Sequence, residues 1–184
     1  MARAPTVIAA VSNEHAEATE RVMAPHKGGC SCGSVRFEIS GEPLWVLACH
    51  CPSCKKRTGS AYGISVMVES SAVKEFTGPT RTFRRKGDSG NEVRYEFCPN
   101  CATTLRWHVE MIPGRQAFAG GTFDNFDALV PVAEIYKDAA ATWAGLGCEL
   151  SRPRAPDEAF RAAMISAQAK VHRDFDKQKN TPNS

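Results

Sequence analysis

Three thiols stand within six residues at Cys49-His50-Cys51-Pro52-Ser53-Cys54. Two further pairs bracket them, Cys30-Ser31-Cys32 upstream and Cys98-Pro99-Asn100-Cys101 downstream. Thiolates spaced C-x-C or C-x-x-C converge on one tetrahedral ion, because a tight turn points both sulfurs to the same side. The chemistry announced is zinc coordination. A structural zinc takes four protein ligands, whereas an exchangeable or catalytic one takes three and keeps a position open. Cys30, Cys32, Cys98 and Cys101 make a compact four-thiolate set, leaving Cys49, Cys51 and Cys54 for a second zinc. Two other divisions also suit the spacing. Cys30, Cys32, Cys49 and Cys51 can form a site with Cys54 near the last pair, or His50 or Cys148 can close the central trio as a second structural site. In an extended stretch, the ring of His50 points away from its two neighbours. Cys148, in Gly145-Leu146-Gly147-Cys148, reads as a buried thiol without metal.

A thiolate-rich zinc with an open position attracts soft ligands, and the natural soft ligand in cytoplasm is a thiol. The metal lowers that thiol's pKa, and a thiolate is a strong nucleophile toward small electrophiles such as aldehydes. On this reading Cys49, Cys51 and Cys54 are catalytic. Lys55, Lys56 and Arg57 are then the anchors for the carboxylates of a thiol co-substrate, with a solvated basic turn as the alternative for each. Arg81, Arg84, Arg85 and Lys86 form a second basic strip, read as an exposed hairpin face. His108 reads as a strand histidine facing solvent. His15, His26 and His172 sit in or near the tails and carry no chemical signal.

The elements that must position these residues are short strands. Val35 to Ile39 alternates apolar and polar, as a half-buried strand does. Leu44 to Ala48 is a buried strand running into the central trio, and Tyr62 to Val68 is a third. Val73 to Phe76 and Arg81 to Arg85 read as a hairpin across Thr77-Gly78-Pro79-Thr80. Lys86 to Asn91 is a loop, and Val93 to Phe97 delivers the last cysteine pair. Leu105 to Glu110, Gln116 to Phe123 and Leu129 to Tyr136 complete the run, with Gly120-Gly121 marking a bulge or a close backbone approach. Turns at this interval, with no helical pattern between strands, predict a mainly β, antiparallel fold. Phe160, Met164, Ala167, Val171 and Phe175 then recur at helical spacing behind Pro156-Asp157-Glu158, predicting an amphipathic C-terminal helix on the sheet or on a neighbouring subunit. A short helix is predicted from Ser12 to Met23. The chain thus divides into a tail over 1–24, a zinc-binding domain over 25–150, and a C-terminal helix and tail over 151–184.

Bulk properties narrow the function class. With 184 residues, 42% apolar and 23% charged, the chain is one globular domain with tails. A net charge of +3 is too near balance to imply nucleic acid, and no apolar run is long enough to span a bilayer. Pro5 breaks the short apolar N-terminus, and Glu14, Glu17 and Glu20 argue against a transit peptide, so the expected compartment is cytoplasmic. In that reducing setting clustered thiols bind metal more often than they pair as disulfides.

The motifs resemble a known family. Gly28-Gly29-Cys30-Ser31-Cys32-Gly33-Ser34-Val35-Arg36-Phe37 is similar to the opening signature of the glutathione-dependent formaldehyde-activating enzymes. Cys49 to Ser60 resembles their central motif, and Phe97-Cys98-Pro99-Asn100-Cys101-Ala102-Thr103-Thr104-Leu105 their last. Glu134 to Asp138 and Trp143 also fall where that family has a strand and a tryptophan. The resemblance spans about residues 26–146. It implies an Mss4-like β-tent built on zinc-cysteine knuckles, with relatives that include centromere protein V. It also implies a structural zinc on the outer pairs and a labile catalytic one on the trio. Glutathione is the implied co-substrate, in a carbon-sulfur lyase-type reaction or carrier role on adducts such as S-hydroxymethylglutathione. Ala102 departs from the usual glycine after the last cysteine, which restricts the turn if its φ is positive. The alternative function is a non-catalytic zinc-binding module that engages a protein. An exposed sheet edge or the last helix would be the surface for a homodimer.

Overall fold

The computed structural model describes residues 25–179, with the side chains of 175–179 excepted; the helix expected from Ser12 to Met23 lies outside them. In chain order the elements are β1 (His26–Gly29), β2 (Arg36–Ile39), β3 (Trp45–Cys49), α1 (Pro52–Thr58), β4 (Gly63–Glu69) and β5 (Val73–Thr77). There follow β6 (Arg81–Lys86), β7 (Glu92–Phe97), β8 (Thr104–Val109), β9 (Arg115–Ala119), β10 (Ala133–Ile135), β11 (Leu150–Ser151) and α2 (Glu158–Lys179). The strands make two sheets, a small one ordered β1-β2-β5 and a large one ordered β11-β10-β3-β4-β9-β8-β7-β6. The fold is therefore mainly β with a C-terminal helix. Its pairings are antiparallel except that β10 runs parallel to both β3 and β11.

The large sheet is covered on both faces, which explains why β3 reads as an unbroken apolar run buried at every position. Val46, Val66 and Phe118 are cross-strand neighbours on one face. They pack with Phe37, Ile39 and Phe76 of the small sheet. On the other face, Trp45, Met67, Ala117, Trp107 and Tyr95 follow one another across β3, β4, β9, β8 and β7. Phe160, Met164, Ala167 and Val171 of α2 cover part of that face. The predicted last helix thus lies on its own sheet, where Gln168 accepts the Val46 amide at 2.8 Å. Asp157 caps it by accepting the Phe160 amide at 2.8 Å. The side chain of Phe175 is outside the described residues.

Three local expectations need correcting. Val73–Thr77 and Arg81–Lys86 do not form a hairpin: the first pairs with β2 in the small sheet and the second with β7 in the large one. The tight Gly87–Asn91 turn closes β6 onto β7 locally, while Phe76 is drawn opposite Phe37 in the inter-sheet core. Gly78, at φ +92°, makes the crossing, and a Cβ there would lie 2.0 Å from the Ser34 carbonyl oxygen. The strand expected over 116–123 ends at Ala119, and Gly120 begins a 3-10 turn. Its role is the close approach, since a Cβ would meet Ile64 at 2.4 Å. The strand expected over 129–136 shrinks to Ala133–Ile135.

Candidate functional site

The two faces of the large sheet carry the two groups of thiols. Cys30 and Cys98 belong to the core between the sheets, whereas Cys49 and Cys51 belong to the core under α2. The sulfurs of Cys30, Cys32, Cys98 and Cys101 all lie within 4.8 Å of one another. Cys30 and Cys32 are 3.5 Å apart, and Cys32 and Cys98 are 3.7 Å apart. A tetrahedron with metal–sulfur bonds of about 2.3 Å has edges of about 3.8 Å, so this set fits a four-coordinate zinc. The contacts of Cys32 with the Ser34 hydroxyl and amide, and with Asn100, bring its pKa down to about 5, which favours the ligating thiolate. Of the divisions open from spacing, the chain adopts the pairing of outer with outer.

The last knuckle turns at Ala102, whose amide donates to the Cys98 carbonyl at 2.9 Å and whose φ is +59°. That left-handed conformation costs an alanine about 1–2 kcal/mol, partly offset by the greater entropy glycine loses on folding. Ala102→Gly is expected to stabilise the protein by up to about 1 kcal/mol, read from the denaturant midpoint. An unchanged or lower midpoint would refute the strain.

The trio is built by the end of β3 and by α1, a helix the strand pattern did not suggest. Cys51 is its N-cap and accepts the Cys54 amide on its sulfur at 3.4 Å, Pro52 opens the first turn, and Gly59 at φ +64° ends it. Pro at the start, glycine just beyond, and Lys55, Lys56 and Arg57 in the last turn were legible stop-and-start signals. The helical turn brings Cys54 back to Cys49 and Cys51, with the three sulfurs within 4.8 Å of one another. Protons concentrate away from Cys51: its pKa is pushed down by hydrogen bonds from Cys49 and Cys54 and by the Cys54 and Ser53 amides. Cys49 is pushed up by donating to the other two and by burial. Cys54 is lowered by Cys49, yet donation to Cys51 and burial raise it on balance. The trio thus fits a soft metal, and among the described residues no fourth His, Cys, Asp or Glu joins it.

His50 turns away from the trio, as its extended setting predicts. Its Nε2 lies 3.0 Å from Oε1 of Glu134, which also accepts from Lys137 Nζ and the Leu146 amide, each at 3.1 Å. Both His50 and Glu134 are buried, and His50 Nδ1 has no hydrogen-bond partner. Burial raises the Glu134 carboxyl, but the Leu146 amide, Lys137 and His50 outweigh it and bring its pKa to about 2. Glu134 carries no sequence signal of its own: a lone glutamate in a short strand reads as surface.

The basic triplet is divided. Lys55 donates to the Ala139 carbonyl at 2.7 Å, Lys56 is exposed, and the Arg57 guanidinium lies over Trp107 at 4.5 Å. Arg57 Nε and Nη2 are buried without hydrogen-bond partners. Beside the trio lies a cavity of about 170 Å³, lined by Cys49, Cys51 and Cys54 and by aromatic and aliphatic side chains. Its cations are Arg85 and Arg161, and none of Lys55, Lys56 or Arg57 lines it. Arg85 therefore leaves the exposed strip to which spacing assigned it: it donates to the Tyr95 hydroxyl at 3.2 Å. Tyr136, also in the wall, has φ +58°, and its phenol pKa is raised by burial and by the nearby Asp88 carboxylate. His108 is half-buried, 3.6 Å from Glu96, rather than turned to solvent. Cys148 is half-buried and donates to the Pro131 carbonyl at 3.4 Å, apart from both sulfur sets. No helix among the described residues is long and apolar enough to cross a membrane.

The chain is similar to known proteins in two comparisons. The family model described as glutathione-dependent formaldehyde-activating enzyme matches residues 25–139, more than half of the chain. A crystal structure of a Rhodobacter sphaeroides protein is similar at 19% identity and a TM-score of 0.43, over 54% of this chain and 88% of that one. That likeness is too distant to bear on function.

Proposed function

This chain belongs to the glutathione-dependent formaldehyde-activating enzyme family, and from that premise we propose that it is a zinc-dependent carbon-sulfur lyase-type enzyme, or carrier, for thiol–aldehyde adducts such as S-hydroxymethylglutathione. The observation that carries this reading is a three-sulfur set, with no fourth ligand beside it among the described residues, lining a cavity. Cys49, Cys51 and Cys54 would hold one zinc, and Cys30, Cys32, Cys98 and Cys101 a structural one. Zinc at the trio would supply Lewis acidity that keeps a bound thiol deprotonated at neutral pH.

The chain's own residues do the rest. Arg85 and Arg161 line the cavity where a peptide carboxylate would enter, and exposed Lys56 adds a third cation near the trio. Lys55 and Arg57 serve less directly, Lys55 holding the 139 segment and Arg57 backing Trp107 in the wall. As the thiolate sulfur adds to the aldehyde carbon, one S–C bond forms, the carbonyl π bond opens, and the oxygen takes from solvent the proton that the thiol gave up on deprotonation. Tyr136, kept protonated by burial and by Asp88, lines the cavity beside the trio and contributes a polar wall there. The lyase direction reverses these steps. A reducing compartment, the cytoplasm, is proposed because the thiols must stay reduced to ligate.

Native mass spectrometry of the full chain tests this, with and without millimolar-range glutathione. Two zincs per chain are expected, and glutathione should either form an adduct or release one of them. Cys51→Ala should lose that response while keeping the other zinc. Two retained zincs with no adduct would favour the second reading, a non-catalytic module binding a protein.

A further inference from the structure

We propose that the cavity beside the trio receives an apolar group as large as one aromatic ring, attached one carbon from the substrate's sulfur. The substrates would then be thiol adducts of aryl or branched-alkyl aldehydes, not of formaldehyde alone. This rests on the thiol–aldehyde reading above and names the substrate class of that site.

The wall facing the three sulfurs is apolar and fixed. Trp45, Met67, Trp107, Val109 and Ile112 contribute to it, and Trp45, Met67 and Trp107 are only 1%, 6% and 7% exposed. The hollow follows from strand register. Ser65 lies between Leu47 and Ala119 in its cross-strand row and lines the cavity. A small side chain there leaves space that a larger one would fill. The cavity is partly open, so an apolar group can enter it and displace water from these walls. Its roughly 170 Å³ compares with about 150 Å³ for an apolar cavity that admits benzene. A hydroxymethyl group, with two heavy atoms, would use little of that space. The polar lining residues Arg85, Asp88, Tyr136 and Arg161 come from the end of β6, the 87–91 turn, the residue after β10 and the start of α2. They provide for the polar remainder of a substrate, while the sheet provides for its apolar group.

In the adduct of an aryl aldehyde, the ring sits one carbon from sulfur, as it does in phenylmethanethiol. The test titrates the full chain, loaded with cobalt(II) in place of zinc, with phenylmethanethiol and with 2-mercaptoethanol, thiols of similar acidity. Thiolate-to-cobalt absorption reports binding without turnover. Phenylmethanethiol should bind about 10- to 100-fold tighter, the gain expected from burying a phenyl group. Ser65→Val, which fills the hollow from the strand, should erase that preference while leaving 2-mercaptoethanol within about twofold. Equal affinities in the wild-type protein, or an undiminished preference in folded Ser65→Val, would overturn the apolar subsite and leave the thiol site standing. If neither thiol changes the cobalt spectrum, both the site and this inference fall. The wild-type comparison decides the matter even if the variant does not fold.

Discussion

Cys98→Ala is expected to unfold the domain, or to leave it without a cooperative thermal transition. Cys98 is fully buried between the sheets and shares its four-sulfur set with residues of the first knuckle, 66 positions earlier in the case of Cys32. The set ties the turn after β1 to the turn after β7, so a metal there clamps the small sheet to the large one. A structural zinc contributes an apparent folding free energy of about 10–16 kcal/mol in small zinc domains. That exceeds or matches the roughly 5–15 kcal/mol of net stability available to a domain. Alanine removes the ligand and most of this contribution. Cys51→Ala should behave differently, giving a folded protein one metal short, because the trio sits at the end of one strand and one short helix. Thermal melts by circular dichroism with metal content by mass spectrometry separate the two outcomes. A folded Cys98→Ala protein with full metal content would show that the outer sulfurs do not clamp the sheets.

Glu134→Ala should cost about 3–5 kcal/mol, the penalty for removing one partner of a buried charge cluster. The Lys137 ammonium, the Leu146 amide and the His50 ring all lose their common acceptor. The variant should also change the pH profile. Glu134 falls from an ordinary 4.5 to about 2 in the folded protein. A depressed carboxyl stabilises the fold above its unfolded pKa, and this contribution is lost as pH falls from about 4.5 through about 2. At about 1.4 kcal/mol per unit, that amounts to on the order of 3 kcal/mol. Urea midpoints measured between pH 2 and 7 should therefore show a flatter acid limb in Glu134→Ala. Some acid dependence should remain from Glu96, whose carboxyl is also brought to about 2, chiefly by His108 and Arg106. An acid limb as steep as the wild-type one would place the linkage elsewhere.

The thiols were legible because ligand spacing is local chemistry. Cys30-x-Cys32, Cys49-x-Cys51-x-x-Cys54 and Cys98-x-x-Cys101 each converge within one turn, and the structure groups them without adding a residue to either set. Helix α1 is equally local, signalled by Pro52 and Gly59, although strands surround it on both sides in the chain. The hairpin error had a different source. Val73–Thr77 and Arg81–Lys86 each have sound strand character, yet pairing depends on which sheet buries Phe76, and that is settled by Phe37 far away in the chain. For Arg85, a basic strip looks the same whether it faces solvent or reaches over Tyr95 into a cavity.

The sequence by itself determined which thiols are candidate ligands, the β character of the core and the existence of the last helix, because spacing, alternation and helical period act over a few residues. Only the tertiary structure decided that the two sulfur sets lie on opposite faces of one sheet. It alone placed Glu134 beneath His50, and it set Ser65 at a cavity with Trp45, Met67 and Trp107. These depend on strand order and register, which bring together residues distant in the chain. No local pattern encodes what will stand across from a small side chain once the sheet has formed.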